Sequence, residues 1–157
     1  MRPRADGGEV PADFVVQVDT PLTPGQAWQR VWDFDRHTEV IPLTTVTTVG
    51  PATPLAVGVE FCGRTAVGPA GFDDPMRVDV WEPPTSGAGR AVVTKTGSVI
   101  GGRIEVTVVP VAKGGTRISW RQQVDLPWLP SRLSWLERLA ARAAAPGYRM
   151  VLNRLLA

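Results

Sequence analysis

His37 is the single histidine of this 157-residue chain, and Cys62 is its single cysteine. His37 stands close to Asp33, Asp35 and Glu39. A carboxylate beside an imidazole raises its pKa and fits it for general-base work. No nucleophile is tied to His37 in sequence, so a surface or capping position is preferred. One thiol cannot close an internal disulfide, and one thiol with one imidazole cannot build a zinc site. No metal and no cofactor is therefore expected. The chain has no G-x-S-x-G elbow, no H-E-x-x-H pair and no phosphate loop. Gly97 to Gly102 is glycine-rich but lacks the lysine and the strand-to-helix setting of such a loop, so it reads as a strand connection. More telling are polar residues due to face inward. Thr65 shares a strand face with Val59 and Phe61, and Gln122 shares one with Ile118 and Trp120. Left unpaired inside, such a group costs about 1–3 kcal/mol. Each either pairs with a neighbouring hydroxyl or a buried water, which is the preferred reading, or bonds a ligand carbonyl or hydroxyl and orients it. The hydroxyl of Tyr148, the lone tyrosine, is left open between the interior and the surface. Arg64 and Arg121 alternate to the opposite, outer faces.

These residues must be positioned by strands. Phe14 to Asp19 alternates apolar and polar, which reads as a half-buried strand. Val- and Thr-rich runs then predict strands over Thr44–Val49, Val57–Val67, Met76–Glu82, Arg90–Thr96, Arg103–Val111 and Thr116–Val124. Their alternation implies an antiparallel sheet with one wet face and one covered face. Between the first two strands, Thr23-Pro24 opens a short helix carrying Ala27, Trp28, Val31, Trp32 and Phe34 on one side. A second short helical turn runs from Arg36 to Ile41. The last segment, Ser131 to Ala157, is helical with Ser131 as its cap, and Pro146-Gly147 is expected to kink or break it. On a helical wheel Leu133, Leu136, Ala140, Ala143, Gly147 and Val151 share one side, and Arg138, Arg142 and Arg149 another. Residues 1–12 read as a flexible tail, and 13–157 as one domain.

The order is strand, two short helices, six strands and one long helix. A single helix must cover the apolar face of a bent sheet, and the helix side assigned to that face is small: Ala140, Ala143, Ala144 and Gly147. Small side chains allow a tight fit, or they leave an apolar cavity, on the order of several hundred Å³ for a small-molecule site. Both outcomes stay open here. Trp28, Trp32 and Trp120 belong to core or cavity wall, and Trp81 to the outer face or a loop. Pro127, Leu129 and Pro130 form an apolar loop around Trp128, suited to a gate or to transient membrane contact.

The net charge is +2, too mild to imply nucleic-acid binding, and 43% hydrophobic with 20% charged residues is a globular balance. Residues 131–157 carry five Arg and one Glu, a local excess of +4, read mainly as a solvated face. Met1 to Asp6 is polar with no apolar run behind it, so no signal peptide is expected and a cytoplasmic location is the default expectation. No run reaches the roughly 18 apolar residues of a membrane span.

The pattern resembles the START-like, pollen-allergen-type helix-grip superfamily, also described as SRPBCC or polyketide cyclase/dehydrase. The stretches that carry the resemblance are Pro24–Trp28 to Trp32-Asp33-Phe34, Arg36-His37-Thr38 to Ile41–Thr44, and Val57–Phe61. Further on they are Gly68–Met76, Trp81–Pro84 and Gly115–Trp120. The resemblance spans residues 13 to 157. It implies an α+β helix-grip fold: a curved seven-stranded antiparallel sheet with two short helices and one long C-terminal helix enclosing a cavity. It places the mouth of the pocket near Trp128 and Trp135. The superfamily holds lipid carriers, hormone receptors and aromatase/cyclases, so the resemblance does not fix an activity. The expected function is binding or carriage of a hydrophobic small molecule, lipid or polyketide-like. The alternative is a polyketide cyclase/dehydratase-type enzyme using the same cavity. The candidate ligand-binding residues are Phe61, Thr65, Met76, Val78, Trp120, Gln122, Leu136, Ala140, Ala143 and Gly147.

Overall fold

The computed structural model describes residues 12–51 and 53–157. The tail expected over residues 1–12 lies, but for residue 12, outside the described residues. Seven antiparallel strands form one sheet in the order β1-β7-β6-β5-β4-β3-β2. They are β1 (Asp13–Thr20), β2 (Thr44–Thr48), β3 (Glu60–Val67), β4 (Ala70–Glu82), β5 (Gly89–Thr96), β6 (Gly101–Pro110) and β7 (Thr116–Gln123). The excursion between β1 and β2 holds α1 (Pro24–Val31) and α2 (Phe34–Val40), and the chain ends in α3 (Trp135–Leu156). This is the helix-grip arrangement that the sequence resemblance implies.

Local chemistry accounts for the short helices. The Thr23 hydroxyl accepts from the Gln26 amide at 3.3 Å while the Gln26 side chain accepts from the Thr23 amide at 3.0 Å. This reciprocal box satisfies two donors that the first turn would leave free. Asp33 caps α2 by accepting from the amides of Asp35 and Arg36 at 3.1 and 3.2 Å. The tryptophan-rich side of α1 is buried: Ala27, Trp28 and Val31 are 0–6% exposed.

One strand, β4, differs from expectation in two ways that matter for the interior. β4 starts six residues early, at Ala70, and runs for 13 residues. Pro75 makes that stretch read as loop. The strand tolerates it because the ladder to β5 starts only at Met76↔Lys95, so no partner there needs the missing N–H. The second difference is a bulge between Val78 and Val80. A bulge adds one residue and re-aims the side chains beyond it. It turns Trp81, expected on the outer face or in a loop, inward to pair with Ala91. There its ring lies 4.9 Å from Trp28 and 5.1 Å from Trp32. The outer face carries ion pairs, among them Arg64–Asp73 at 2.8 Å and Arg121–Asp13 at 2.6 Å, where the alternation puts those arginines.

α3 runs unbroken through Pro146 for 22 residues, which corrects the expected break. Pro146 and Gly147 lie on its exposed side, where the ring stands clear of the core. Ser131 opens a separate 3-10 turn, Ser131–Leu133, without capping through its side chain. The helix is held at several points. Arg149 donates to the Gln17 carbonyl of β1 at 3.0 Å. Arg30 of α1 donates to the last carbonyls, Leu156 and Ala157. Buried Glu137 accepts from the Leu126 amide at 2.9 Å and fixes the loop before the helix. Among the described residues no helix is long and apolar enough to cross a membrane.

Candidate functional site

The sheet's inner face, the short helices and the C-terminal half of α3 enclose a cavity of about 200 Å³. That is smaller than the several hundred Å³ expected and below the range of about 300–1,000 Å³ for drug-sized sites. Its walls arise from the two-residue period of strands. β3 contributes Phe61, Gly63 and Thr65, and β4 contributes Phe72, Asp74 and Met76. The register sets these directly opposite one another, as Phe61↔Met76, Gly63↔Asp74 and Thr65↔Phe72. Val93 and Lys95 of β5, Ile104 of β6 and Trp120 of β7 continue the floor. The roof is Trp32, Phe34, His37, Tyr148, Val151, Leu152 and Leu155. Phe34 lies 4.7 Å from Phe61, and Tyr148 lies 5.6 Å from Trp120, ring centre to ring centre. Gly63 adds no side chain to the floor, and a Cβ there would come into ordinary contact with Met76 Cε and Thr44 Cγ2. Among the lining residues, Ile41, Thr44, Thr65, Phe72 and Ile100 are half-buried.

Into this apolar setting the sheet aims an ion pair. The Lys95 side chain is 3% exposed and that of Asp74 16%, and the ammonium donates to Asp74 Oδ2. Among the described residues Met76 Sδ, at 4.0 Å, is the one other acceptor near Lys95 Nζ. Asp74 Oδ1 is buried with no hydrogen-bond partner among them, and so is the indole N–H of Trp32. The hydroxyls differ, being satisfied within the protein. Thr65 and Thr44 bond each other at 2.9 Å, and Thr44 also donates to the Pro42 carbonyl at 3.2 Å.

His37 is buried, not on the surface. Its Nε2–H donates to the Val31 carbonyl at 2.6 Å, which fixes that tautomer, since a carbonyl only accepts. Burial pushes its pKa below the ordinary value of 6.5, and the Val31 carbonyl and Asp33 offset this only in part. The carboxylate-raised pKa expected for a general base is thus corrected: burial outweighs Asp33, and the direction is downward. A histidine with a lowered folded pKa binds its proton more readily when unfolded. Its stabilising contribution is then complete above the unfolded value and is lost as pH falls below it. Thermal melts from pH 7.5 to 5 should show stability falling below about pH 6.5, and His37→Gln should flatten that slope. An unchanged slope in the variant would remove His37 as its source.

The structure brings together four of the expected ligand-binding residues: Phe61, Thr65, Met76 and Trp120 all line the cavity. Val78 is 1% exposed but lies one step further along β4, in filled core. Gln122 is buried off the cavity, and its amide oxygen accepts from the Trp120 indole at 3.2 Å, an internal pair with an indole N–H where the sequence reading expects a hydroxyl or a water. The helical candidates are corrected. Leu136 is half-buried and outside the lining, and Ala140, Ala143 and Gly147 are exposed. A Cβ at Gly147 would meet nothing within 4 Å. The buried side is instead Glu137, Ala141, Leu152 and Leu155, with Tyr148 and Val151 half-buried. Phasing the wheel on the smallest residues misplaces it, because one position along a helix turns the side chain by about 100°. Ala141, at 0% exposure, sits tight in the core. The hollow lies further on, under Tyr148 to Leu155. Trp128 and Trp135 are 64% and 47% exposed and line no part of the cavity, and the Trp128 indole donates to the Val99 carbonyl at 3.0 Å. Sequence reasoning missed Lys95, Asp74 and Gly63 as site residues.

No protein-family model matches the chain, and no curated protein matches it. Solved structures do. A hypothetical protein of Helicobacter pylori superposes with a TM-score of 0.72 at 15% identity, over 96% of this chain and 89% of that one. The ZhuI aromatase/cyclase of Streptomyces sp. R1128 gives 0.65 at 12% identity, over 92% and 90%. Ara h 8.0201 gives 0.58 at 11% identity, over 92% and 97%. At these identities the likeness is one of fold, and it places the chain among helix-grip structures.

Proposed function

We propose that the chain binds a small, largely apolar molecule in the cavity between the sheet and α3. One observation carries this reading. Protein interiors are close-packed with few voids larger than a water molecule, yet here about 200 Å³ is left open and walled by aromatic rings. The volume favours a compact ligand of one or two rings over a long-chain lipid. Similarity of fold to Ara h 8.0201 and to an aromatase/cyclase supports a cavity-based role in general.

A second reading is an enzyme of cyclase or dehydratase type. It is favoured by Lys95 and Asp74, which could hold a carbonyl and move a proton beside it. One experiment addresses both. Calorimetric titration with toluene should give saturable heat at one site per chain. If poly-β-keto mimics are also turned over, the enzyme reading gains. Saturable binding without turnover leaves a binding module, and the absence of any saturable binding by small aromatics would sink the cavity reading.

A further inference from the structure

The geometry points to a selective polar subsite at one wall of the cavity, formed by Lys95 Nζ and Asp74 Oδ1, that takes the hydroxyl of a neutral aromatic alcohol or phenol. The inference rests on the proposed binding role and narrows it to a ligand class. Three facts carry it. Asp74 Oδ1 is a buried acceptor with no partner among the described residues. Lys95 Nζ has three protons to donate, with one carboxylate oxygen and one weakly accepting sulfur among the described residues to receive them. Both residues line the hollow, and Gly63, opposite Asp74 in the β3–β4 register, adds no side chain beside them.

A hydroxyl meets both needs with one atom, accepting from Lys95 and donating to Asp74. Other head groups meet only one. A carboxylate would accept from Lys95 but would stand against the like charge of Asp74. An ammonium would reverse the conflict. An ether accepts but leaves Asp74 Oδ1 unpaired, and a hydrocarbon leaves both groups as they are. Buried ion pairs seldom add net stability over apolar residues of similar size. This pair, on a cavity wall with an open valence on each partner, is suited to recognition.

The test is a matched series of one size: toluene, p-cresol, 4-methylanisole and p-toluate, titrated calorimetrically at neutral pH. Hydrophobicity alone would rank p-cresol below toluene, because its hydroxyl must leave water. The expected result is p-cresol bound at least about tenfold tighter than toluene and 4-methylanisole, with p-toluate weakest. In Lys95→Met/Asp74→Leu, which removes both charges together, toluene should still bind and the preference for p-cresol should vanish. The series on the unaltered protein needs no variant, so it decides even if the double variant fails to fold. Equal affinities for p-cresol and toluene, or tightest binding of p-toluate, would overturn the subsite and leave the cavity reading standing. Failure of every compound to bind would overturn both.

Discussion

Lys95→Met alone should destabilise the protein by about 3 kcal/mol, and adding Asp74→Leu should restore most or all of it. Removing one partner of a buried pair typically costs about 3–5 kcal/mol because the other charge stays behind uncompensated. The low end applies here, since the Asp74 side chain keeps 16% of its exposure on a cavity that meets solvent. Among the described residues Lys95 is its one cationic partner, and Asp74 Oδ1 has no hydrogen bond to fall back on. For a domain of this size about 3 kcal/mol corresponds to a fall in Tm of roughly 6–12 °C. The double variant replaces both charges by apolar groups of similar volume, a change that is commonly neutral or stabilising. Denaturant melts of the two single variants and the double variant complete the cycle. If Lys95→Met melts with the unaltered protein, the pair is better solvated than its burial implies, and its place on the cavity wall loses its significance.

The pair is legible in the sequence, and a single residue hides it. Met76 and Val78 read as inward-facing, and the same period carried backwards reaches Asp74. Pro75 stops the strand one residue short of it. On β5, Ala91, Val93 and Lys95 alternate just as regularly, and a lysine in that row signals either a partner or an error of phase. The partner is two strand positions away, because Met76 pairs with Lys95 and Asp74 precedes Met76 by one repeat. Strand faces are readable wherever the period runs unbroken, as for Phe61 and Thr65 on β3 and Trp120 on β7. They are not readable past the bulge, where one extra residue turns Trp81 inward. The long helix is harder. Its apolar residues are spread around it, with Leu139 at 50% and Met150 at 45% exposure. No apolar stripe fixes the phase, and only contact with the sheet decides which alanines are inside.

The phase of α3 has a direct consequence for how the cavity can be closed. A bulky residue on the side that the wheel assigns to the sheet, as in Ala143→Trp, should leave both ligand binding and Tm unchanged, because Ala143 is exposed. Gly63→Leu should close the cavity. Gly63 has ordinary strand geometry and is not among the residues with positive φ. A Cβ there would meet Met76 Cε at 3.8 Å and Thr44 Cγ2 at 3.9 Å, which is ordinary contact. The rest of the leucine side chain has only the hollow to enter. Filling a packed core costs about 1–3 kcal/mol in strain, but here the volume is already free, and leucine suits a strand better than glycine does. Stability should therefore hold or rise, while affinity for toluene or p-cresol drops at least about 100-fold, or about 2.8 kcal/mol. A fall in binding together with a fall in Tm would mean damage to the sheet, and Gly63→Ala, which adds only the Cβ, would then serve as the milder probe. Full affinity in a stably folded Gly63→Leu would show that small aromatics bind somewhere other than between β3, β4 and α3.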